Sequence, residues 1–170
     1  MSAQLSPLWP PTRSLLAMGV QHLDAVMAIE TAAYEFPWSR GNFVDSLASG
    51  YPAQVLFDAQ GRLLGYFVAM RGVNEWHLLN ISVLPGGQGQ GHGRFMLDRM
   101  AAMCREQRVA TLWLEVRESN LRACAVYAHY GFKAVGIRRG YYPAAQGGRE
   151  DAAVMRLLVP EPASAETGAA

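Results

Sequence analysis

The sequence predicts a mixed α/β fold, in which antiparallel N-terminal strands lead into a central mixed sheet flanked by helices. Apolar runs typical of strands, at 54–57, 63–70 and 76–83, follow one another with turn residues between them. A cluster of glycines separates the last of these runs from an amphipathic helix. Beyond that helix, strand and helix patterns alternate, as is typical of α/β proteins.

The composition predicts one globular domain. The 170 residues are 51% hydrophobic and 17% charged, which excludes a disordered chain and allows a substantial core. We expect a flexible N-terminal arm at 1–13, a single domain at 14–159 and a disordered tail at 160–170, which is rich in proline and alanine.

Charge and cysteine content limit the partners. A net charge of +1 provides no long-range attraction to nucleic acid, and no apolar run is long enough to span a membrane. We therefore expect neither as a partner, and we expect a monomer. Cys104 and Cys124 do not make a disulfide framework, which favours a reducing compartment and a cytoplasmic location. The two cysteines and the four histidines do not have the spacing of metal ligands, so we expect no metal site.

The first elements are a short strand at 14–18 and a helix that begins near His22. This helix ends before Phe36-Pro37-Trp38, because proline disfavours helix at the preceding residue. Ser39 can cap a second short helix. Phe36 and Trp38 can line a peptide site between the two helices, or their rings can pack onto the core. The pattern leaves both possibilities open.

The glycine cluster follows an alternating strand segment at 79–83. Five of the eight residues from Gly86 to Gly93 are glycine. Because glycine loses more backbone entropy on folding than any other residue, this density indicates positive φ angles or the close approach of a ligand. A glycine loop that leads into a helix N-terminus can bind phosphate through backbone N–H groups. We therefore interpret the loop as an anion-binding site.

The spacing excludes two common nucleotide motifs. Gly86 and Gly91 have P-loop spacing, but His92 and Gly93 follow in place of the required lysine and serine or threonine. The G-x-G-x-x-G fingerprint fails because His92 or Arg94 stands where its third glycine belongs.

Two helices and three strands are predicted beyond the loop: a helix with an apolar stripe of Met96, Met100 and Met103, a strand at 109–116, a helix at 121–130, and strands at 132–137 and 152–158. Ser119 or Asn120 can cap the second of these helices, and Gly131 can end it. We expect residues 140–150 to form a loop that carries Tyr141 and Tyr142.

The loop from Gln88 to Gly93 resembles the Q/R-x-x-G-x-G/A pyrophosphate loop of the GCN5-related N-acetyltransferase (GNAT) family. Further segments extend this resemblance, in the same order, over most of the ordered chain: Phe36-Pro37-Trp38-Ser39, Leu78–Val83, Ala110–Asn120, Tyr127 with Tyr130-Gly131-Phe132, Ile137–Pro143 and Gly148–Ala152. Within the family, they look like the alanine N-acetyltransferases of a small-subunit ribosomal protein. One departure is Leu84, because the family usually has aspartate before Pro85.

The resemblance implies the acetyltransferase fold, with acetyl-CoA as the acetyl donor and the N-terminus of a small-subunit ribosomal protein as the acceptor. The cofactor-binding residues that it implies are Ile81, Ser82 and Val83 along the pantetheine arm, Gln88, Gly89, Gln90, Gly91, His92 and Gly93 at the pyrophosphate, and Asn120. The N–H of Val83 would face the thioester carbonyl and stabilise the oxyanion.

The resemblance also implies the catalytic residues. The general base is Glu115, which is the only acid in the apolar strand 109–116. Strand alternation places it on the face of Trp113 and away from Leu112 and Leu114. Tyr127 would protonate the leaving thiolate, with Tyr130 as the alternative donor.

The acceptor slot would be shaped by Phe36 and Trp38, and by Tyr141 and Tyr142, although the two tyrosines can equally serve loop packing. An α-amino group, with a pKa of about 7.7 to 8.0, is roughly a tenth neutral at pH 7, whereas fewer than roughly one lysine in a thousand is. This favours an N-terminal acceptor. The alternatives are acetylation of a lysine or of a small-molecule amine, and a CoA-binding module without turnover.

Overall fold

The computed structural model describes residues 12–161. Within them, the strands are β1 (Ser14–Ala17), β2 (Ala53–Phe57), β3 (Leu63–Arg71), β4 (Glu75–Val83), β5 (Thr111–Arg117), β6 (Lys133–Pro143) and β7 (Arg149–Leu158). The α-helices are α1 (Leu23–Ala33), α2 (Arg40–Ala48), α3 (His92–Glu106) and α4 (Leu121–Tyr130). Short 3-10 turns lie at Val20–His22 and Ala145–Gly147.

The strands form a mixed sheet in the order β1-β2-β3-β4-β5-β7-β6. β1 pairs antiparallel with β2, β4 pairs parallel with β5, and β7 pairs antiparallel with both β5 and β6. The predicted mixed α/β class is therefore confirmed. β5 is held by a hydrogen-bonded neighbour on each side, whereas β6 ends the sheet.

Two predicted helix ends are confirmed. The Ser39 hydroxyl accepts a hydrogen bond from the Asn42 N–H at 3.1 Å, and the Asn42 side-chain oxygen accepts one from the Ser39 N–H at 2.9 Å. This reciprocal cap begins α2. The second confirmed end is that of α4, which stops at Gly131 with a φ of 125°.

The prediction of a loop at residues 140–150 is wrong. β6 continues to Pro143 and β7 begins at Arg149, so only a short turn joins them. The register shifts between Arg138 and Tyr142, where Gly140 has a φ of 57°. This irregularity lets the strand continue past the glycine, and Arg149 Nε bonds the Gly140 carbonyl at 2.9 Å. Tyr142 and its neighbour Tyr141 are therefore strand residues.

Contacts divide the chain into two compact units. Within the described residues, the first comprises 12–67 together with Ile81–Met96. Its buried apolar side chains come from α1, α2, β2 and β3 and include Leu23, Val26, Ile29, Phe43, Val55, Leu56, Tyr66 and Phe67. The Phe43 ring meets the Tyr66 ring edge-on, with 5.7 Å between centroids.

The second unit comprises Val68–Asn80 and residues from Leu97 onward. Its buried side chains include Trp76, Leu78, Leu97, Met100, Cys104, Leu112, Leu114, Val116 and Phe132.

The predicted methionine stripe of α3 is core, since Met96 and Met100 are fully buried, although Met103 is only half-buried.

Most of the predicted arm and tail, residues 1–11 and 162–170, lies outside the described residues. The single domain at 14–159 stays a prediction. In the described part of the chain, no helix combines the length and the apolar character that crossing a membrane requires.

Candidate active site

The glycine loop of the first unit has the backbone that its composition predicts. Gly89 and Gly91 adopt φ angles of 78° and 80°, which side chains other than glycine rarely tolerate. α3 begins directly afterwards at His92, and the Phe95 N–H donates to the Gly91 carbonyl at 3.0 Å. Free N–H groups at a helix N-terminus after a positive-φ loop fit a pyrophosphate group.

The His92 side chain is buried. Its Nδ1 lies 3.1 Å from the guanidinium of Arg13, which itself stacks 4.5 Å over the Phe95 ring. Because arginine has no acceptor, Nδ1 accepts this bond. Burial and the Arg13 charge lower the pKa of His92, so the imidazole is neutral at pH 7. Any contribution of His92 to anion binding therefore comes from its backbone.

The end of β4 carries the residues predicted for the pantetheine arm. Ile81 and Val83 are half-buried, while Ser82 is buried. The hydroxyl of Tyr34 donates to the Ile81 carbonyl at 2.9 Å and accepts from Ser82 Oγ at 2.6 Å. Burial around this hydroxyl raises the pKa of Tyr34, so it stays protonated and donates. Tyr34 thus links the end of α1 to the predicted donor strand.

The two aromatic residues between α1 and α2 take different positions. The Phe36 side chain is 39% exposed. Trp38 is half-buried, and its ring lies 5.1 Å from that of Phe43. Of the two possibilities that the sequence left open, packing on the core holds for Trp38, and exposure on a loop holds for Phe36.

The segment is held by a residue that the sequence analysis missed. Glu30 is 1% exposed, and its carboxylate accepts hydrogen bonds from the Trp38 N–H at 2.7 Å and from the Tyr66 hydroxyl. Burial and the Glu30 carboxylate raise the pKa of Tyr66. The available signal was an acid four residues after Val26, on the apolar face of the helix.

The predicted base lies in the second unit. Burial alternates along β5 as predicted, with Leu112 and Leu114 buried and Glu115 on the opposite face. Glu115 is not alone: Oε1 lies 3.2 Å from an Arg138 guanidinium nitrogen, and Oε2 contacts His77 Nε2. The Glu115 side chain is only 7% exposed. The result is a carboxylate with one partner on each oxygen.

Sequence reasoning missed both partners of this carboxylate. His77 lies on β4 and Arg138 on β6, so neither is near Glu115 along the chain. The alternation of β4 placed His77 on one face, but only the register shows that it lies opposite Trp113 on β5. No local motif encodes such a pairing.

Arg138 also joins the base to the predicted acceptor residues. Its guanidinium lies 5.2 Å over the Tyr141 ring, and the rings of Tyr141 and Tyr142 pack edge-on at 4.9 Å. Arg117 lies 4.5 Å over Tyr142 and bonds Glu150 at 3.0 Å. The structure thus brings the two tyrosines and the base of this unit together through Arg138.

The predicted residues of α4 take distinct positions. Asn120, rather than Ser119, caps the helix, because its Oδ1 accepts from the Ala123 N–H at 3.1 Å. The Tyr127 ring packs edge-on against Phe132 at 5.7 Å.

The alternative proton donor, Tyr130, is engaged elsewhere. Its hydroxyl donates to Asp98 Oδ1 at 2.8 Å. Hydrogen bonding to a carboxylate directs the phenol proton of Tyr130 to that acceptor. Within the described residues, no three His, Cys, Asp or Glu side chains are grouped as metal ligands.

Comparison with known proteins gives consistent matches. The family model described as acetyltransferase (GNAT) family matches residues 23–132. The [ribosomal protein bS18]-alanine N-acetyltransferase of Escherichia coli K12 is 39% identical over 137 residues, covering 81% of this chain and 91% of the relative. Its Haemophilus influenzae counterpart is 39% identical over 132 residues, covering 78% and 89%.

A solved structure agrees with these sequence matches. The crystal structure of the ribosomal-protein-S18-alanine N-acetyltransferase from Escherichia coli superposes with a TM-score of 0.81 at 35% identity, covering 91% of this chain and 98% of that one. The resemblance stated from the sequence is therefore confirmed.

Proposed function

The chain belongs to the acetyltransferase (GNAT) family, and we propose that it transfers the acetyl group of acetyl-CoA to the α-amino group of an N-terminal alanine in a small-subunit ribosomal protein. The observation that carries this acceptor is the extent of the match, which runs over most of the chain, to enzymes named for that reaction. The family makes the chain an acetyl-CoA-dependent N-acetyltransferase.

Donor binding falls to the first unit. The backbone N–H groups from Gln88 to Gly93 hold the pyrophosphate, aided by the partial positive charge of the α3 N-terminus. Ile81, Ser82 and Val83 pair with the pantetheine arm, and the Val83 N–H stabilises the carbonyl oxygen of the thioester as that oxygen gains negative charge. Support comes from the positive φ angles of the loop. The family resemblance also assigns Asn120 to the donor.

Proton removal falls to Glu115. The acceptor nitrogen must lose one proton as its bond to the acetyl carbon forms, and a carboxylate within reach can take it. Arg138 fixes Oε1 and supplies a permanent positive charge beside it. Because a larger fraction of an α-amine than of a lysine is neutral at pH 7, an N-terminal acceptor needs less help from the base.

Proton delivery falls to Tyr127. The carbon–sulfur bond breaks, and the thiolate of CoA takes the phenol proton. Tyr130, whose hydroxyl donates to Asp98, is the alternative donor.

Acceptor recognition falls to aromatic side chains. Tyr141 and Tyr142 form one wall, positioned by the guanidinium groups of Arg138 and Arg117. Phe36, exposed on the loop between α1 and α2, and Trp38, anchored by Glu30, supply further apolar contacts for the first residues of the peptide.

We propose that the enzyme acts as a monomer in the cytoplasm, without nucleic acid or a membrane as partner. Both cysteines, Cys104 and Cys124, are free thiols, which suits a reducing compartment. Gel filtration of the purified chain tests the oligomeric state.

The decisive experiment compares acceptors. Purified protein is incubated with acetyl-CoA and either an alanine-starting ribosomal peptide or the same peptide with a blocked N-terminus and an internal lysine, and products are identified by mass. We expect acetylation of the alanine peptide, and a loss of about 10²-fold to 10⁴-fold in kcat for Glu115→Gln. Glu118→Gln, an exposed acid outside the strand, is the matched control. Equal rates on both peptides would overturn the N-terminal acceptor.

A further inference from the structure

The Glu115 carboxylate can take a proton from the acceptor amine, but it must then lose that proton before the next turnover. With 7% of its side chain exposed, it has little direct contact with water. His77 touches Oε2 through Nε2, and 26% of its side chain is exposed. Imidazole is the side chain best suited to exchange protons with water near neutral pH.

We infer that His77 and Glu115 act as one proton-holding pair, in which His77 passes the proton of the acceptor amine to solvent. This inference rests on the proposed function, since it needs Glu115 to be the base. His77 acts through Glu115 and not on the substrate, so it is a positioning residue. The contact between its Nε2 and Glu115 Oε2 is the observation that carries the inference.

The proton balance is simple for the pair as a whole. Before transfer, it consists of a carboxylate and a neutral imidazole. As the nitrogen–carbon bond forms, the amine nitrogen loses one proton and the pair gains it, becoming a carboxylate beside an imidazolium. One ring proton then leaves to water, which restores the pair.

Other charged groups on this face are already engaged. On β6, Arg138 holds Glu115 Oε1. Trp113, which lies opposite His77 in the register, donates from its indole to Glu75 Oε2 at 2.9 Å and lies under the Arg156 guanidinium at 5.6 Å. Glu75 and Arg156 thus both contact Trp113, and Glu115 is the ionic partner that contacts the imidazole.

Three variants test the pair: His77→Gln, Glu115→Gln and the double variant. We expect His77→Gln to lower kcat on the alanine peptide by about 10²-fold, leaving the KM for acetyl-CoA unchanged. The double variant should be no slower than Glu115→Gln, because residues that act as a unit are strongly non-additive. His129→Gln, an exposed histidine on α4, is the matched control and should keep the activity of the unchanged protein.

Two readouts separate proton handling from a structural role. Added imidazole should restore part of the activity of His77→Ala and leave His129→Ala unchanged. Proton NMR should show a strongly downfield imidazole N–H signal that disappears in both His77→Gln and Glu115→Gln, whether or not the peptide is a substrate.

The possible outcomes are distinct. An active protein in which His77→Gln keeps its rate, or in which the two substitutions multiply, overturns the pair and leaves the proposed function standing. A protein that carries the downfield signal but acetylates neither peptide overturns the proposed function, and with it the proton route.

Discussion

Glu30 offers a sharp test of how the segment between α1 and α2, which carries Phe36 and Trp38, is held. Glu30→Leu removes the acceptor of two hydrogen bonds, from the Trp38 N–H and from the Tyr66 hydroxyl. A buried donor left without a partner costs about 1 to 3 kcal/mol. Tyr66 is fully buried, but Trp38 is half-buried and water can replace part of its bond. We therefore expect a loss of about 3 kcal/mol in the free energy of unfolding, in the lower half of the combined range of about 2 to 6 kcal/mol.

The assay is urea and thermal unfolding followed by circular dichroism. For a chain of this size, a loss of about 3 kcal/mol corresponds to a fall in Tm of about 6 to 12 °C. Asp24→Asn is the control on the same helix: its side chain is 92% exposed and pairs only with Arg40, so the change should stay within about 0.5 kcal/mol.

A double-mutant cycle isolates the hydrogen bond. In a Tyr66→Phe background one of the two donors is already gone, so Glu30→Leu should cost at least about 1 kcal/mol less than in the unchanged protein. The loosened Trp38 should also raise the KM for the peptide without weakening acetyl-CoA binding. The proposed network does not hold the segment if Glu30→Leu has the same Tm as the Asp24→Asn control, or if it lowers the free energy of unfolding equally in both backgrounds.

Two further predictions concern the first unit. Gly65→Ala would place a methyl group 2.5 Å from the Ser82 carbonyl oxygen, so we expect urea unfolding to show a loss of about 1 to 3 kcal/mol in the free energy of unfolding. The exposed Gly61 cannot serve as a control, because its φ of 78° would strain an alanine there. Stability unchanged by Gly65→Ala would refute the close approach of β3 to β4. The lowered pKa of His92 means that the unfolded chain binds more protons there, so stability is complete above about pH 6.5 and falls as pH decreases below it. His92→Leu should flatten this dependence between pH 7 and pH 5, and an unchanged slope would contradict it.

Much of the fold could be predicted because its signals are local. Ser39 caps its helix through a residue three positions away, and Gly131 ends another through its own backbone. The predicted loop at 140–150 is wrong because the register shift at Gly140, which lets β6 continue, depends on pairing with β7. Turn residues in the sequence look the same whether they end a strand or form a bulge within it.

The candidate site likewise contains residues that local signals predict and residues that depend on strand pairing. The alternation of β5 and the family resemblance were enough to select Glu115. His77 was not selected as its partner, because the contact depends on the register between β4 and β5 across 38 residues of chain. Glu30 was passed over because a charged residue on an apolar helix face is informative only when its buried donors are known.

The position of Tyr141 and Tyr142, the two tyrosines proposed to contact the acceptor, has a consequence for how acceptor specificity can change. Glu115 lies on β5, which is hydrogen-bonded to a neighbouring strand on each side, whereas Tyr141 and Tyr142 lie on β6, an edge strand of the sheet. Substitutions on an edge strand disturb fewer other residues, because such a strand has a neighbouring strand on one side only. Variation at Tyr141 and Tyr142 therefore leaves the strand that carries Glu115 unchanged, and new peptide termini could be accepted as long as Arg138, which contacts both Tyr141 and Glu115, keeps its place.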